Sequence, residues 1–169
     1  HSYTRYPGSP LIASHLCGEA DRLVLMELHP EDAQLLKQKL GWDKRITFVV
    51  NDGFQELLAR VPPLVKRGLV LIDPPYERKQ DYLEVTETLA QAHKRWATGV
   101  YAIWYPLLAT KRDHSETMLR KIKQAGYASL LKVELSVNEA HPDFGMHGSG
   151  MLIVNAPWQL DVQLKSVLP

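Results

Sequence analysis

A single cysteine, Cys17, stands among 169 residues. That scarcity excludes an internal disulfide framework and a CxxC metal site, and it leaves no sign of an oxidising compartment. Long hydrophobic runs are missing too. The longest, such as Leu69 to Ile72 and Gly99 to Ile103, fall far below the roughly 18 apolar residues of a membrane span. No GxGxxG-type loop follows any strand-like segment, so a complete nucleotide-binding fold of that kind is absent or differently built. Charge of one sign is also lacking. The net charge is +1, whereas strong electrostatic binders of nucleic acid carry a large basic excess. Basic residues recur instead as short groups: Lys66-Arg67, Arg78-Lys79, Lys94-Arg95, Lys111-Arg112, and Arg120, Lys121 and Lys123. Most of these read as solvated helix faces and loops. The chain begins at His1 without an initiator methionine or a signal-peptide pattern. The expectation is a cytoplasmic chain that forms the C-terminal portion of a longer polypeptide.

What is present reads as one globular domain over residues 1–169. Hydrophobic residues make up 45% and charged residues 23%, without repeats or low-complexity tracts, and a chain of this size buries about two thirds of its unfolded surface. Apolar, β-branched runs predict strands at Leu23 to Leu28, Ile46 to Val50, Leu69 to Ile72, Val100 to Tyr105, Leu131 to Val137 and Met151 to Asn155. Helical patterns lie between them, at Pro10 to Leu16, Glu31 to Leu40, Gln55 to Val61, Asp81 to Ala97 and Asp113 to Ala125. Ala33, Leu35, Leu36 and Leu40 share one face, Gly41 is a plausible stop, and Asp52 sits where a helix cap belongs. Such alternation predicts an α/β fold with a mostly parallel, doubly wound sheet, because parallel strands need crossovers that helices supply. Leu69 to Ile72 is wholly apolar and reads as the central strand.

Directly after that strand comes Asp73-Pro74-Pro75-Tyr76. Ligands of open α/β sheets bind at the carboxyl ends of strands, where this run projects a carboxylate, a stiff backbone and an aromatic ring. Those parts suit methylation of an exocyclic amine on a nucleobase, a poor nucleophile because its lone pair is delocalised into the ring. The Asp73 carboxylate and the Pro74 carbonyl could accept both N–H bonds and aim the lone pair at a methyl donor. Tyr76 could stack on the base once it is turned out. The plain alternative is a strand ending in a Pro-Pro turn with Asp73 as a cap. Two further acids end strands. Glu27 could accept from ribose hydroxyls, and Asp52 from an adenine amino group, with Gly53 permitting close backbone approach. Each alone is as readily a helix cap or a solvated strand end.

With those segments in view, the chain resembles the RlmJ family. The matching runs are Tyr6 to Ile12, Glu27-Leu28-His29-Pro30, Asp52-Gly53-Phe54, Leu71 to Tyr76, Trp104-Tyr105-Pro106 and Gly148 to Met151, in that order, so the resemblance covers nearly the whole chain. It implies a class I Rossmann-like methyltransferase fold and N6-methylation of an adenine in large-subunit ribosomal RNA. It implies S-adenosylmethionine as cofactor, contacted by Ser9, Glu27, Asp52, Gly53 and Asp73, with Asp73, Pro74 and Tyr76 catalytic. Some members carry an older label for catabolism of external DNA. The family's first strand, Gly-rich cofactor loop, N-terminal histidines and helical insertion are absent from this chain. Since that first strand lies between the strands read at Leu23 to Leu28 and Leu69 to Ile72, its absence would leave a gap in the sheet, and weak cofactor binding by this chain alone is expected.

Rival readings keep the same motif. Adenine in DNA, or guanine N2, presents an exocyclic amine as well, and a non-catalytic nucleic-acid-binding module would rest on the basic pairs alone. A Rossmann-like oxidoreductase is disfavoured, since Asp-Pro-Pro-Tyr has no role in hydride transfer. RNA is the expected partner, DNA the alternative, and the chain is expected to act as a monomer. Cys17 reads as a small buried hydrophobe. His141, Asp143 and His147 lack metal-site spacing, so no metal is expected, and Asp143-Phe144-Gly145 has no accompanying kinase motifs. Loop 138–150 could close over a nucleotide. Trp104 and Tyr105 could line a base pocket or pack in the core.

Overall fold

Strand-forming runs and helical stripes alternate in the fold as in the sequence. The computed structural model of the chain describes residues 6–109, 113–140 and 145–168. Among them the order is α1 (Ser9–Leu16), β1 (Leu23–Glu27), α2 (Pro30–Leu40), β2 (Ile46–Val50), α3 (Gly53–Arg60), β3 (Leu69–Ile72), α4 (Lys79–Arg95), β4 (Val100–Leu108), α5 (Ser115–Gln124), β5 (Leu130–Ser136), β6 (Met146–Val154) and α6 (Leu160–Val167). Local chemistry sets many of the ends. Pro30 starts α2, followed by Glu31 and Asp32 at its positive end, while Lys37 and Lys39 occupy its last turn before the Gly41 cap. Arg78 caps α4 reciprocally with Asp81, whose Oδ2 accepts the Arg78 N–H at 3.0 Å. The helix α6 was not expected from the sequence pattern.

The chain divides into two compact units, the second beginning at Arg60. In the first, β1 and β2 pair in parallel, Leu23 with Ile46 through Glu27 with Val50. Its polar anchor joins α1 to the approach of β2. Ser14 Oγ donates to Asp43 Oδ2 at 2.7 Å, and Arg45 donates to Asp43 and to the carbonyls of Ser14, Cys17 and Gly18. Those bonds from Arg45 hold the Asp43 carboxyl far below its usual range. Cys17 is half-buried just past α1.

The second unit holds a four-stranded sheet in the order β3-β4-β6-β5, with β3–β4 parallel and both pairings of β6 antiparallel. Its core is built on α4, where Tyr82, Val85, Leu89 and Ala92 are buried at helical spacing, and on β4, where Tyr101, Ile103 and Tyr105 are fully buried. The chain therefore has an α/β architecture in which β1–β2 and β3–β4 are parallel and both pairings of β6 are antiparallel.

Three sequence expectations change. The fully apolar strand β3 is an edge of its sheet, with β4 and β6 the interior strands: Leu69 and Leu71 are 65% and 44% exposed. Its run of apolar residues has one hydrogen-bonded neighbour among the described residues, so its outer edge is open. Secondly, β4 does not end at Tyr105. It continues through Pro106 to Leu108 along β6 after its pairing with β3 stops at Ile103, and a strand with one neighbour tolerates proline. Thirdly, residues 146–150 of the expected mobile loop are strand β6, paired on both sides. Glycine makes this possible. A Cβ on Gly150 would lie 2.1 Å from the Tyr105 ring, and one on Gly148 would lie 2.4 Å from the Leu135 carbonyl. His147 belongs to this strand, whereas His141 and Asp143 lie outside the described residues, as do Lys111 and Arg112.

Candidate active site

The parallel register of β1 and β2 brings two of the expected residues to one edge. Glu27 is the last residue of β1, opposite Val50, and Asp52 follows β2 by two residues. Both carboxylates also have local work. Glu27 Oε1 accepts the His29 N–H at 2.9 Å, while Asp52 Oδ1 accepts the N–H groups of Phe54 at 2.7 Å and Gln55 at 3.2 Å, capping α3. Neither side chain is fully enclosed. Gly53 opens α3, and a Cβ there would meet its nearest atom, Met26 Cβ, at 3.8 Å. Packing within the protein thus does not require glycine at this position, and the space is compatible with a ligand lying against the backbone. Ser9 is exposed in the first turn of α1, whose Gly8 cap offers no side-chain bond. Chemically, two carboxylates, a hydroxyl and an uncovered glycine backbone match the hydroxyl and amine donors of a nucleoside.

Asp73, Pro74 and Tyr76 belong to the second unit. Asp73 immediately follows Ile72, which pairs with Ile103 in the parallel β3–β4 ladder, so the motif leaves the sheet at the level of Trp104. Asp73 retains solvent access, and its surroundings raise its carboxyl pKa by desolvation. The ring of Tyr76 stands differently from the expectation of a free stacking platform. It is 5% exposed, its centroid is 4.6 Å from that of Tyr82 and 6.2 Å from that of Trp104, and its hydroxyl donates to the Trp104 carbonyl at 2.6 Å. Its backbone has φ 54°, in the left-handed region that β-carbon sterics disfavour. Burial raises the pKa of this phenol, which keeps it a neutral donor. The tyrosine ties the strand-end loop to β4. Tyr105, the other ring considered for a base pocket, is fully buried and donates to Glu134 Oε1 at 3.0 Å, so it is core, while Trp104 is half-buried.

Beyond Tyr76 lies a cleft of about 470 Å³, bordered by Arg78, Lys79, Tyr82 and His114 among others. Sequence reasoning singled out the Arg78-Lys79 pair but missed Tyr82, because its spacing from Val85 and Leu89 reads as core. Among the described residues no helix is long and apolar enough to cross a membrane, and no cluster of side chains could hold a metal ion.

Comparison with known proteins sharpens the picture. The family model described as "RsmJ: Ribosomal RNA large subunit methyltransferase D, RlmJ" matches residues 1–169. The chain is 46% identical over 164 residues to ribosomal RNA large subunit methyltransferase J of Escherichia coli K12, and 44% identical over 164 residues to that of Haemophilus influenzae. Each match covers 97% of this chain and 58% of the relative, so the chain spans less than two thirds of the length of these curated relatives. A crystal structure of a protein from Legionella pneumophila matches with TM-score 0.87 at 37% identity, over 96% of this chain and 60% of that one. The O-methyltransferase TomG from Streptomyces achromogenes, solved in complex with SAM, matches with TM-score 0.54 at 15% identity, over 85% of this chain and 66% of that one, a likeness of fold alone.

Proposed function

The chain belongs to the ribosomal RNA large subunit methyltransferase RlmJ family, and on that premise we propose that it is the catalytic part of an enzyme that methylates N6 of an adenine in ribosomal RNA. It works as one catalytic domain over 1–169, as a monomer, in the cytoplasm. Ser9, Glu27, Asp52 and Gly53 hold S-adenosylmethionine, which supplies an electrophilic methyl group bonded to sulfonium sulfur. The observation that carries the reading is Asp73-Pro74 at the carboxyl end of β3, with Tyr76 pinned to β4 by a 2.6 Å hydrogen bond.

The residues of the chain divide the work. The Asp73 carboxylate and Pro74 carbonyl accept the two N–H bonds of the adenine amino group, so that its lone pair is directed toward the methyl carbon. As the new C–N bond forms and the old C–S bond breaks toward sulfur, positive charge grows on the nitrogen, and the fixed carboxylate stabilises it. One of the two amino protons then leaves to solvent. A pKa raised by desolvation makes Asp73 a stronger hydrogen-bond acceptor than an ordinary carboxylate. Tyr76 serves as the anchor that fixes the loop, with only part of its ring edge left to meet the base.

The test is to incubate the longest available polypeptide containing this chain with methyl-labelled S-adenosylmethionine and unmodified ribosomal RNA, with duplex DNA in parallel, and to identify the labelled nucleoside. Label in N6-methyladenosine from RNA is expected. Label in DNA or guanosine would replace the acceptor and keep the chemistry, and no label in any nucleic acid despite cofactor binding would sink the reading.

A further inference from the structure

The cleft beyond Tyr76 contains a group that nothing among the described residues satisfies. Tyr82 is 4% exposed, lines the cleft, and its hydroxyl has no hydrogen-bond partner among the described residues. A hydroxyl withdrawn from water without a replacement bond is disfavoured, and native structures keep few of them. A hydroxyl of this kind at the wall of a cleft is free to donate to a ligand that enters it. Its surroundings indicate which ligand. The carboxylates near the ring are already committed: Asp81 Oδ1 holds the Arg78 guanidinium at 2.8 and 3.0 Å, while Asp113 accepts the backbone N–H groups of Leu108 at 3.1 Å and Ser115 at 2.7 Å. Lys79, the first residue of the 17-residue helix α4, is exposed on the cleft rim without a partner among the described residues, at the positive end of the helix dipole. The imidazole edge of His114, at the start of α5, stands against the Tyr82 ring at 5.6 Å. Glu77 is the one lining carboxylate without a partner among the described residues. The cleft thus offers hydroxyl, ammonium and helix-end donors, together with one acceptor.

We propose that this cleft receives the ribose-phosphate link next to the acceptor nucleotide, with the Tyr82 hydroxyl and Lys79 donating to phosphate oxygens and Glu77 accepting from a ribose hydroxyl. The inference rests on the assignment of Asp73 to a nucleic-acid base, since Tyr76 joins the Asp73 loop to the cleft wall. Phosphate contacts fix register and orientation without reading sequence, which is what an amine held at Asp73 needs from its neighbours. Glu77 gives the site a means of preferring RNA, because the 2′-hydroxyl distinguishes RNA from DNA.

The experiment uses the longest polypeptide containing this chain and a fluorescent single-stranded RNA, with Kd measured by anisotropy across a salt series and S-adenosylmethionine binding measured separately. Tyr82→Phe is expected to leave the thermal midpoint unchanged or raised, because no bond to a described residue is removed, and to weaken RNA binding about tenfold. Lys79→Ala is expected to lower the salt slope by about 0.7, the value of one single-strand phosphate contact. DNA of the same sequence should bind more weakly than RNA to the unaltered protein, with the difference reduced in Glu77→Gln. Cofactor binding should be unchanged in every variant. RNA affinity and salt slope equal to the unaltered protein in both Tyr82→Phe and Lys79→Ala would overturn the subsite while leaving methylation at Asp73 intact. A stability loss in Tyr82→Phe would also overturn it, since the hydroxyl would then serve the fold. If the unaltered protein binds cofactor but no RNA, the assignment of the acceptor fails, and the subsite with it.

Discussion

Replacing Tyr76 by phenylalanine separates two jobs that one residue could do. The ring stays, with its contacts to Tyr82 and Trp104, while the hydroxyl bond to the Trp104 carbonyl at 2.6 Å is lost. A typical hydrogen bond contributes about 1 kcal/mol net, and a buried acceptor left without a donor costs up to about 3 kcal/mol. Trp104 is half-buried, so its carbonyl regains some water and the expected loss is about 1–2 kcal/mol. For a chain of this length that corresponds to a fall in thermal midpoint of roughly 3–6 °C. The consequence for turnover should be larger than the consequence for stability. Tyr76 sits in the left-handed region at φ 54°, a conformation that costs about 1–2 kcal/mol in a non-glycine residue and persists only under constraint. Releasing the anchor lets the loop relax, and a displacement of about 1 Å at Asp73 is enough to lower kcat on the order of a hundredfold. Thermal unfolding and single-turnover methylation at saturating cofactor would measure the two effects. An unchanged midpoint would refute the anchoring argument outright. A lowered midpoint with kcat unaffected would show that the bond supports the fold but not the geometry of Asp73.

Asp73→Asn should keep the fold and cofactor binding and lose on the order of a hundredfold or more in kcat, in line with loss of one preorganised electrostatic contact; equal turnover would remove the acceptor role. The same variant gives a pH test. Because desolvation raises the folded pKa of Asp73 above its unfolded value, its ionisation opposes folding. That part of stability is present below about pH 3.8 and is lost as pH rises through the folded pKa. Asp73→Asn should flatten that part of the stability curve, and the acid limb of turnover in the unaltered protein should lie above the usual carboxylate range. Gly150→Ala forces a Cβ to within 2.1 Å of the fully buried Tyr105 ring. Overpacking of this kind costs about 1–3 kcal/mol, and a urea midpoint equal to that of the unaltered protein would show that the β4–β6 contact yields more freely than its burial suggests.

Among the described residues, the positions of all six strands and five of the six helices are legible in the sequence, because strand and helix periods are local properties of a few consecutive residues. The same holds for the acids: Glu27, Asp52 and Asp73 follow successive apolar runs, and parallel pairing of β1 with β2 sends the first two to one edge. Local pattern therefore sets the alternating α/β order and the location of the Asp-Pro-Pro-Tyr run after β3. It did not determine which strand lies at an edge, since β3 and β4 are both apolar and hydrogen-bonding neighbours are chosen by the whole sheet. Nor did it show β6 running antiparallel between β4 and β5, with Gly148 and Gly150 inside a strand, because the Tyr105 ring that demands Gly150 is 45 residues away in sequence and only the cross-strand register brings them together. The orientation of Tyr76 and the Ser14–Asp43–Arg45 anchor were decided in the same way. Their partners lie 28 to 31 residues off, and a side chain's available face is fixed only when the tertiary fold has covered the others.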